Sequence, residues 1–302
     1  MILVVGSTGL VGRDICRRLA EKEIAARALV RETSDPAKVA ELQHLGLEIA
    51  RGDVRDAASL AQACRGVSAV IDTVSAMPFS YQPGVNDIDT TDCAGAIRLI
   101  GAARAADVER FVYTSFSGNL DLPFPLRDAK RTVERYLMSS GLDWTILRPS
   151  FFMEVWLGPA VGFDAAAATA TIYGDGTNPI SYVALTDVAA FAVESLQHPA
   201  AHRATLEFGG PEAIAPLEVV RRFEKIGGRS FTVQHVPAEA LAAQQVAATD
   251  PMQQSFCGLM RCVAQGDAIP MEDVLEAFPI RLTTVEEYAG KVLASATHPV
   301  EA

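Results

Sequence analysis

The sequence predicts an α/β protein: a doubly wound parallel sheet over residues 1–150, and a smaller, mainly helical lobe over residues 151–302 that is interwoven with the sheet. Three observations carry this prediction. The chain opens as a continuous apolar run, Met1 to Val5, which enters a glycine-spaced loop and then an amphipathic stretch over residues 13–20. Apolar runs and amphipathic stretches continue to alternate at βαβ spacing as far as Pro149, and strands alternating with helices imply a parallel sheet covered on both faces. Beyond Pro149 the alternation lapses with no Gly/Ser or Pro linker, so the remainder reads as a lobe and not as a tethered domain.

Strand-like runs follow at residues 25–30, 47–50, 69–74, 110–115 and 144–147, separated by helical patterns at 37–44, 57–64, 86–105 and 126–139. Gly141 is placed as a C-cap residue after the last of these. In the lobe, strands are expected at 169–173, 180–184, 205–208 and 231–235, with a helix at 187–196 and another after Pro216. The C-terminal part is expected to be mainly helical, and Thr284 and Glu287 have the spacing of a capping box.

The loop Gly6-Ser7-Thr8-Gly9-Leu10-Val11-Gly12 lies between the first strand and the first helix. A pyrophosphate is held where bare backbone N–H groups approach it closely, and a helix N-terminus offers such groups with a favourable dipole. Gly6 permits the tight turn off the strand, Gly9 removes a Cβ from the path of the phosphates, and Gly12 lets the helix pack close to the sheet. Gly6, Thr8, Gly9, Leu10, Val11 and Gly12 are therefore candidate cofactor-binding residues. The spacing G-x-x-G-x-x-G resembles the loop of the extended and atypical short-chain dehydrogenase/reductases.

Composition narrows the classes. The chain is 49% hydrophobic and 21% charged, ordinary for a globular protein with a sizeable core. A net charge of −11 without a long Lys/Arg run argues against nucleic acid as a ligand. Five cysteines, odd in number and in no C-x-x-C arrangement, suit a reducing compartment. No apolar run is long enough to cross a membrane and no basic leader precedes the first strand, so a cytoplasmic protein is expected. No metal site is expected: His198 and His202 have zinc-helix spacing, but the adjacent Glu is missing and Pro199 interrupts the helix.

Ligands of an open α/β sheet sit at the carboxyl ends of its strands. Arg31 follows the second strand, where an Arg accommodates the 2′-phosphate of NADP and an acid would bind the 2′-hydroxyl of NAD. Glu32 next to it would reverse that preference if it were the residue facing the ribose. Asp53 follows the third strand and reads equally as an adenine neighbour or as a turn residue. Val54, Ser75, Ser115 and, after the sixth strand, Phe151 complete the candidate cofactor-binding set. The aromatic segment Phe151-Phe152-Met153-Glu154-Val155-Trp156 is placed over a nicotinamide, with core packing as its alternative.

The run Arg110-Phe111-Val112-Tyr113-Thr114-Ser115-Phe116-Ser117-Gly118, with Lys130, Glu134, Gly141-Leu142, Trp144-Thr145 and Leu147-Arg148-Pro149, is similar to the NmrA-like branch of the atypical short-chain dehydrogenase/reductases. That branch has the Rossmann fold and includes redox-sensing regulators and quinone, triphenylmethane-dye, isoflavone and phenylcoumaran reductases. Conventional relatives carry a Ser or Thr after the fifth strand and a Tyr four residues before the lysine; here those positions hold Phe116 and Leu126. Isoflavone-type members use a lysine eleven residues before a glycine, and Lys130 with Gly141 reproduces that spacing. The resemblance implies that Lys130 is catalytic or cofactor-binding. Its alternative is a surface pair with Glu134 at i+4, worth a few tenths of a kcal/mol. On the helical wheel Leu126, Ala129, Val133, Tyr136 and Leu137 form the apolar face, Lys130 lies on its edge, and Arg131 and Arg135 fall on the far side.

Two functions follow. One is an NADPH-dependent reductase transferring hydride to a small conjugated, quinone-like or aromatic acceptor. The other is a catalytically silent NADP-binding redox sensor acting through a protein partner. Both allow a homo-oligomer and neither involves nucleic acid or membrane.

Overall fold

The computed structural model describes residues 1–297. In chain order the elements are β1 (Ile2–Val5), α1 (Leu10–Glu21), β2 (Ala26–Val30), α2 (Pro36–His44), β3 (Glu48–Arg51), α3 (Ala57–Ala63), β4 (Ala69–Asp72), a π-helical turn (Ile88–Cys93), α4 (Ala94–Ala105), β5 (Arg110–Thr114), α5 (Pro125–Met138) and β6 (Asp143–Pro149). They continue with α6 (Met153–Trp156), β7 (Phe163–Asp164), β8 (Thr169–Tyr173), α7 (Leu185–Glu194), β9 (Ala204–Phe208), α8 (Pro216–Gly227), β10 (Thr232–Val236), α9 (Ala238–Ala247), α10 (Pro251–Gln265), α11 (Glu272–Ala277) and α12 (Val285–Thr297). The chain divides into two compact units. The first comprises Met1–Phe116, Phe124–Arg148 and Val188–Leu206, and the second Ser117–Pro123, Pro149–Asp187 and the chain from Glu207 onward.

A seven-stranded sheet has the order β3-β2-β1-β4-β5-β6-β9, and its pairs from β3 to β6 run parallel. The doubly wound sheet predicted from the alternation is present. Its order reverses between β1 and β4, which makes the carboxyl ends of those strands the topological switch point. The central strands are apolar on both faces because helices cover both: β1, β4 and β5 are buried throughout. Leu3, Val5, Val70, Phe111 and Tyr113 pack with Leu60, Leu99, Ile100, Ala103, Val133 and Leu137 from α3, α4 and α5.

The helix starts follow local chemistry. Asp35 accepts from the Ala37 N–H ahead of Pro36, and Asp56 accepts from the Ala58 N–H, so α2 and α3 are capped by side chains. The expected capping box is present: the Thr284 N–H donates to Glu287 and the Glu287 N–H donates to the Thr284 hydroxyl, each at 3.1 Å.

Two elements differ from the sequence reading. The single helix expected over residues 86–105 is broken into the π-helical turn Ile88–Cys93 and then α4. Asp87 and Thr90 cap the π turn reciprocally, and its i→i+5 geometry leaves no mark in apolar periodicity. Residues 180–184 make isolated bridges instead of a strand, because Ile180 pairs with Ile214 and Asp267 while Val183 pairs with Phe152. The strands expected at 169–173 and 231–235 are present as β8 and β10, which pair in parallel, with β7 antiparallel to β8, in a separate three-stranded sheet of the second unit. Its interior is aromatic, with Phe163 and Phe223 ring centroids 4.8 Å apart, edge to face.

Candidate functional site

The loop after β1 is pinned on three sides. Gly6 has φ +83°, open to glycine at no steric cost, and a Cβ there would lie 2.6 Å from Thr73 Oγ1. The buried Ser7 hydroxyl donates to the Leu29 carbonyl at 2.7 Å, which ties the loop to β2. Gly9 donates its N–H to the Gly6 carbonyl at 2.9 Å and forms the N-cap of α1 with ordinary extended backbone angles. A Cβ on Gly12 would lie 2.1 Å from the Gly6 carbonyl oxygen, so Gly12 is required for packing of the helix on its own loop, and not on the sheet as the sequence suggested. Among the described residues no side chain caps α1, and its first turn holds no acid. The N–H groups of Leu10, Val11 and Gly12 have no intrahelical acceptor and open toward Thr8 and Gly9, an arrangement that accepts an anion.

At the end of β2 the Arg31 side chain is half-buried, while Glu32 is exposed. The Arg31 N–H donates to the Ser34 hydroxyl at 3.0 Å, and the Arg51 guanidinium reaches the Arg31 carbonyl at 3.3 Å, so two arginines meet where β2 and β3 end. Asp53 is gripped by Arg55 at 2.8 Å and 2.7 Å, one contact on each carboxylate oxygen. That pairing, with a further contribution from the charge of Arg31, holds the Asp53 carboxyl below the usual range. Val54 is buried in the core of the first unit against Gly95.

Beyond β4 and β5 the interior is unexpectedly polar. Lys130 is 6% exposed; its Nζ donates to the Thr114 carbonyl at 3.1 Å, lies 3.9 Å from Asp92 Oδ1 and stands 5.1 Å from the centroid of the Tyr113 ring. Ser75 hydrogen-bonds Asp92, and its oxygen accepts from the Met77 N–H at 3.2 Å. Asp72, the last residue of β4, is fully buried, and burial pushes its carboxyl up to about 6. Burial raises Asp92 as well, against the opposing pull of Lys130, and raises Tyr113 still further from its usual value.

Glu134 is not the surface partner of Lys130. It is 2% exposed and paired with Arg131 at 2.7 Å and Arg148 at 2.6 Å, and these contacts, with a hydrogen bond from Ser115, outweigh burial and lower its carboxyl. Arg131 therefore turns inward, also donating to the Phe116 carbonyl at 3.1 Å, and Tyr136 is exposed; the wheel placed both on the wrong side. The Ser115 N–H donates to the Leu147 carbonyl at 2.8 Å, continuing the β5–β6 pairing past the end of β5. In the second unit Phe151 is buried, edge-on to Trp156 at 4.9 Å. His202 bonds Asp143, and His198 caps Ala200.

The structure thus gathers the glycine loop, Arg31 and Asp53 along the ends of β1 to β3, and Ser75, Ser115 and Lys130 along the ends of β4 to β6. Sequence reasoning missed Asp72, Asp92 and Tyr113. Asp72 carried a signal, an acid ending the apolar run Ala69-Val70-Ile71; Asp92 carried none.

A switch-point α/β sheet with an uncapped glycine loop defines a dinucleotide-type fold. The NmrA-like family model matches residues 1–289, and the chain belongs to that family. It is 30% identical to the NAD(P)H azoreductase of Xenophilus azovorans over 86% of this chain and 85% of that protein. It is 29% identical to the photosystem II assembly factor Ycf39 of Synechocystis over 97% and 91% of the two chains. In fold it matches the NADPH-dependent quinone oxidoreductase QOR2 of Escherichia coli, solved with NADPH, with a TM-score of 0.78, 22% identity and 97% and 99% coverage.

Proposed function

We propose that this protein is an NADPH-dependent reductase that passes hydride to a small conjugated, quinone-like or aromatic acceptor. The observation that carries the reading is Lys130, a buried ammonium at the carboxyl end of β5, in a sheet whose first loop suits a pyrophosphate. The first-turn N–H groups of α1 would hold the phosphates, and Arg31, with Arg51 beside it, would meet a 2′-phosphate. NADPH supplies hydride at its nicotinamide C4. Arrival of hydride on a conjugated acceptor builds negative charge at the far atom, and Lys130 would stabilise that charge or donate a proton from Nζ; held nearer the cofactor, the same amine would anchor the nicotinamide ribose. The azoreductase relative and the quinone oxidoreductase neighbour support the class of reaction.

The assembly-factor relative keeps a catalytically silent NADP sensor as the second reading, since the loop would serve both. Acceptor-dependent NADPH oxidation across quinones, enones, azo compounds and cationic dyes separates them. Turnover with at least one acceptor is expected; NADPH binding without turnover on any would favour the sensor.

A further inference from the structure

In the first unit, the buried polar atoms Asp72 Oδ2, Asp92 Oδ1, Tyr113 OH and Thr114 Oγ1 have no hydrogen-bond partner among the described residues. Buried polar atoms are ordinarily paired, so three orphans near one amine, on Asp72, Asp92 and Tyr113, call for a reason. Asp72 and Tyr113 are direct neighbours in the β4–β5 register, which puts their side chains on one face of the sheet, and Lys130 lies over the Tyr113 ring on that face.

Asp92 divides its two oxygens. Oδ2 accepts from the Ala76 N–H at 3.0 Å, and Ser75 also bonds the carboxylate, so the group is fixed to the segment that leaves β4. Oδ1 makes no hydrogen bond and faces Lys130 Nζ at 3.9 Å. Asp92 is 1% exposed and sits in the π-helical turn, a local departure from α geometry that is common at working sites. We infer that Asp92 is the positioning residue of Lys130: its open oxygen keeps the ammonium charged and aimed, and its fixed oxygen ties that aim to Ser75 and Ala76. The catalytic meaning of this inference rests on the proposed reductase function, but the ion-pair geometry and its test do not.

The groups that face Lys130 are Asp72 from β4, Tyr113 from β5 and Asp92 from the π turn; Cys93 and Glu134 act on Tyr113, and on the lysine's own helix Glu134 pairs with Arg131. Asp72 is ionised well above pH 6, so it is a constant background through the alkaline range in which a lysine titrates. Removing the charge of Asp92 therefore isolates its own effect.

The test is a titration of the cofactor-free protein labelled with ¹³C at the lysine ε carbons. There are only five lysines, and the Lys130 signal is the one that Lys130→Met deletes. Asp92→Asn is expected to lower the titration midpoint of Lys130 by about 1–3 pH units and to leave Lys22, Lys38, Lys225 and Lys291 unmoved. A Lys130 signal that titrates in Asp92→Asn where it does in the wild type overturns the inference. If Asp92→Asn does not fold, the double variant Lys130→Met/Asp92→Asn decides: it should recover the fold, because the buried amine that lost its partner is removed with it, and a double variant that also fails assigns Asp92 a purely structural role. Because no cofactor or acceptor is present, absence of NADPH oxidation would defeat the reductase proposal without touching this result, and an unmoved midpoint would do the reverse.

Discussion

Lys130 and Asp92 face each other across 3.9 Å inside the first unit, while Glu134, the residue one helical turn from Lys130, turns to Arg131 and Arg148. The lysine is thus held by a neighbouring element instead of its own helix. An amine that served only as half of an i,i+4 surface pair would have no reason to be buried, since such pairs form in solvent and contribute little.

Lys130→Met keeps the aliphatic stem and removes the charge. If the amine donates the proton or stabilises the developing anion, kcat should fall about 10²- to 10⁴-fold while NADPH affinity changes little. If it anchors the ribose, affinity and turnover should fall together. Steady-state kinetics with a parallel fluorescence titration separate these outcomes, and an unaffected variant would remove Lys130 from the site.

Arg31 is expected to set the cofactor choice. A charge-assisted hydrogen bond contributes roughly 1.5–3 kcal/mol, so NADPH should bind about 10- to 100-fold more tightly than NADH, and Arg31→Ala should remove most of the difference. Equal wild-type affinities by fluorescence titration would count against the assignment.

Two glycines of one loop should fail in different ways. A Cβ on Gly9 would meet only the Gly6 oxygen, at 3.1 Å, whereas a Cβ on Gly12 would lie 2.1 Å from it and 2.7 Å from the Gly6 carbonyl carbon. Gly9→Ala should therefore keep a thermal midpoint near the wild type but lose much of the rise produced by NADPH. Gly12→Ala should cost about 1–3 kcal/mol or more of stability in the absence of cofactor, as forced overpacking does. Thermal melts with and without NADPH check both, and identical behaviour of the two variants would be the contrary result.

The Asp72 carboxyl is raised to about 6 by burial, so its ionised form is disfavoured in the folded chain. The stability it contributes is fully present at pH values below the ordinary carboxylate pKa and is lost as pH rises through about 6. Asp72→Asn cannot ionise. Its stability relative to the wild type should improve between about pH 4 and pH 7 by up to about 3 kcal/mol, at 1.36 kcal/mol per pH unit. Urea unfolding at the two ends of that range measures the difference, and a gap that does not change with pH would contradict it.

The sheet was legible because buried strands and amphipathic helices write different periods into the chain, and the loop because Gly6, Gly9 and Gly12 answer to backbone geometry that only glycine satisfies at Gly6 and Gly12. Lys130 was legible by its resemblance to a family spacing, but its surroundings were not. Asp92 faces inward because of a π-helical turn, which shifts helical phase without altering composition, and Glu134 is buried because Arg148 comes to it from β6, a pairing set by tertiary structure. Phe151 reads equally as a ligand contact or a core residue in the sequence, and in the fold it is buried against Trp156.

The most direct test of the reductase account uses NADPH carrying deuterium at C4, on the face that is transferred, with an enone or a cationic triphenylmethane dye whose new C–H bond does not exchange with water. The account predicts product with one deuterium on the carbon that accepts hydride, formed in step with NADPH oxidation and suppressed in Lys130→Met. NADPH oxidation that yields unlabelled product, or no acceptor reduction at all, would contradict direct hydride transfer by this protein.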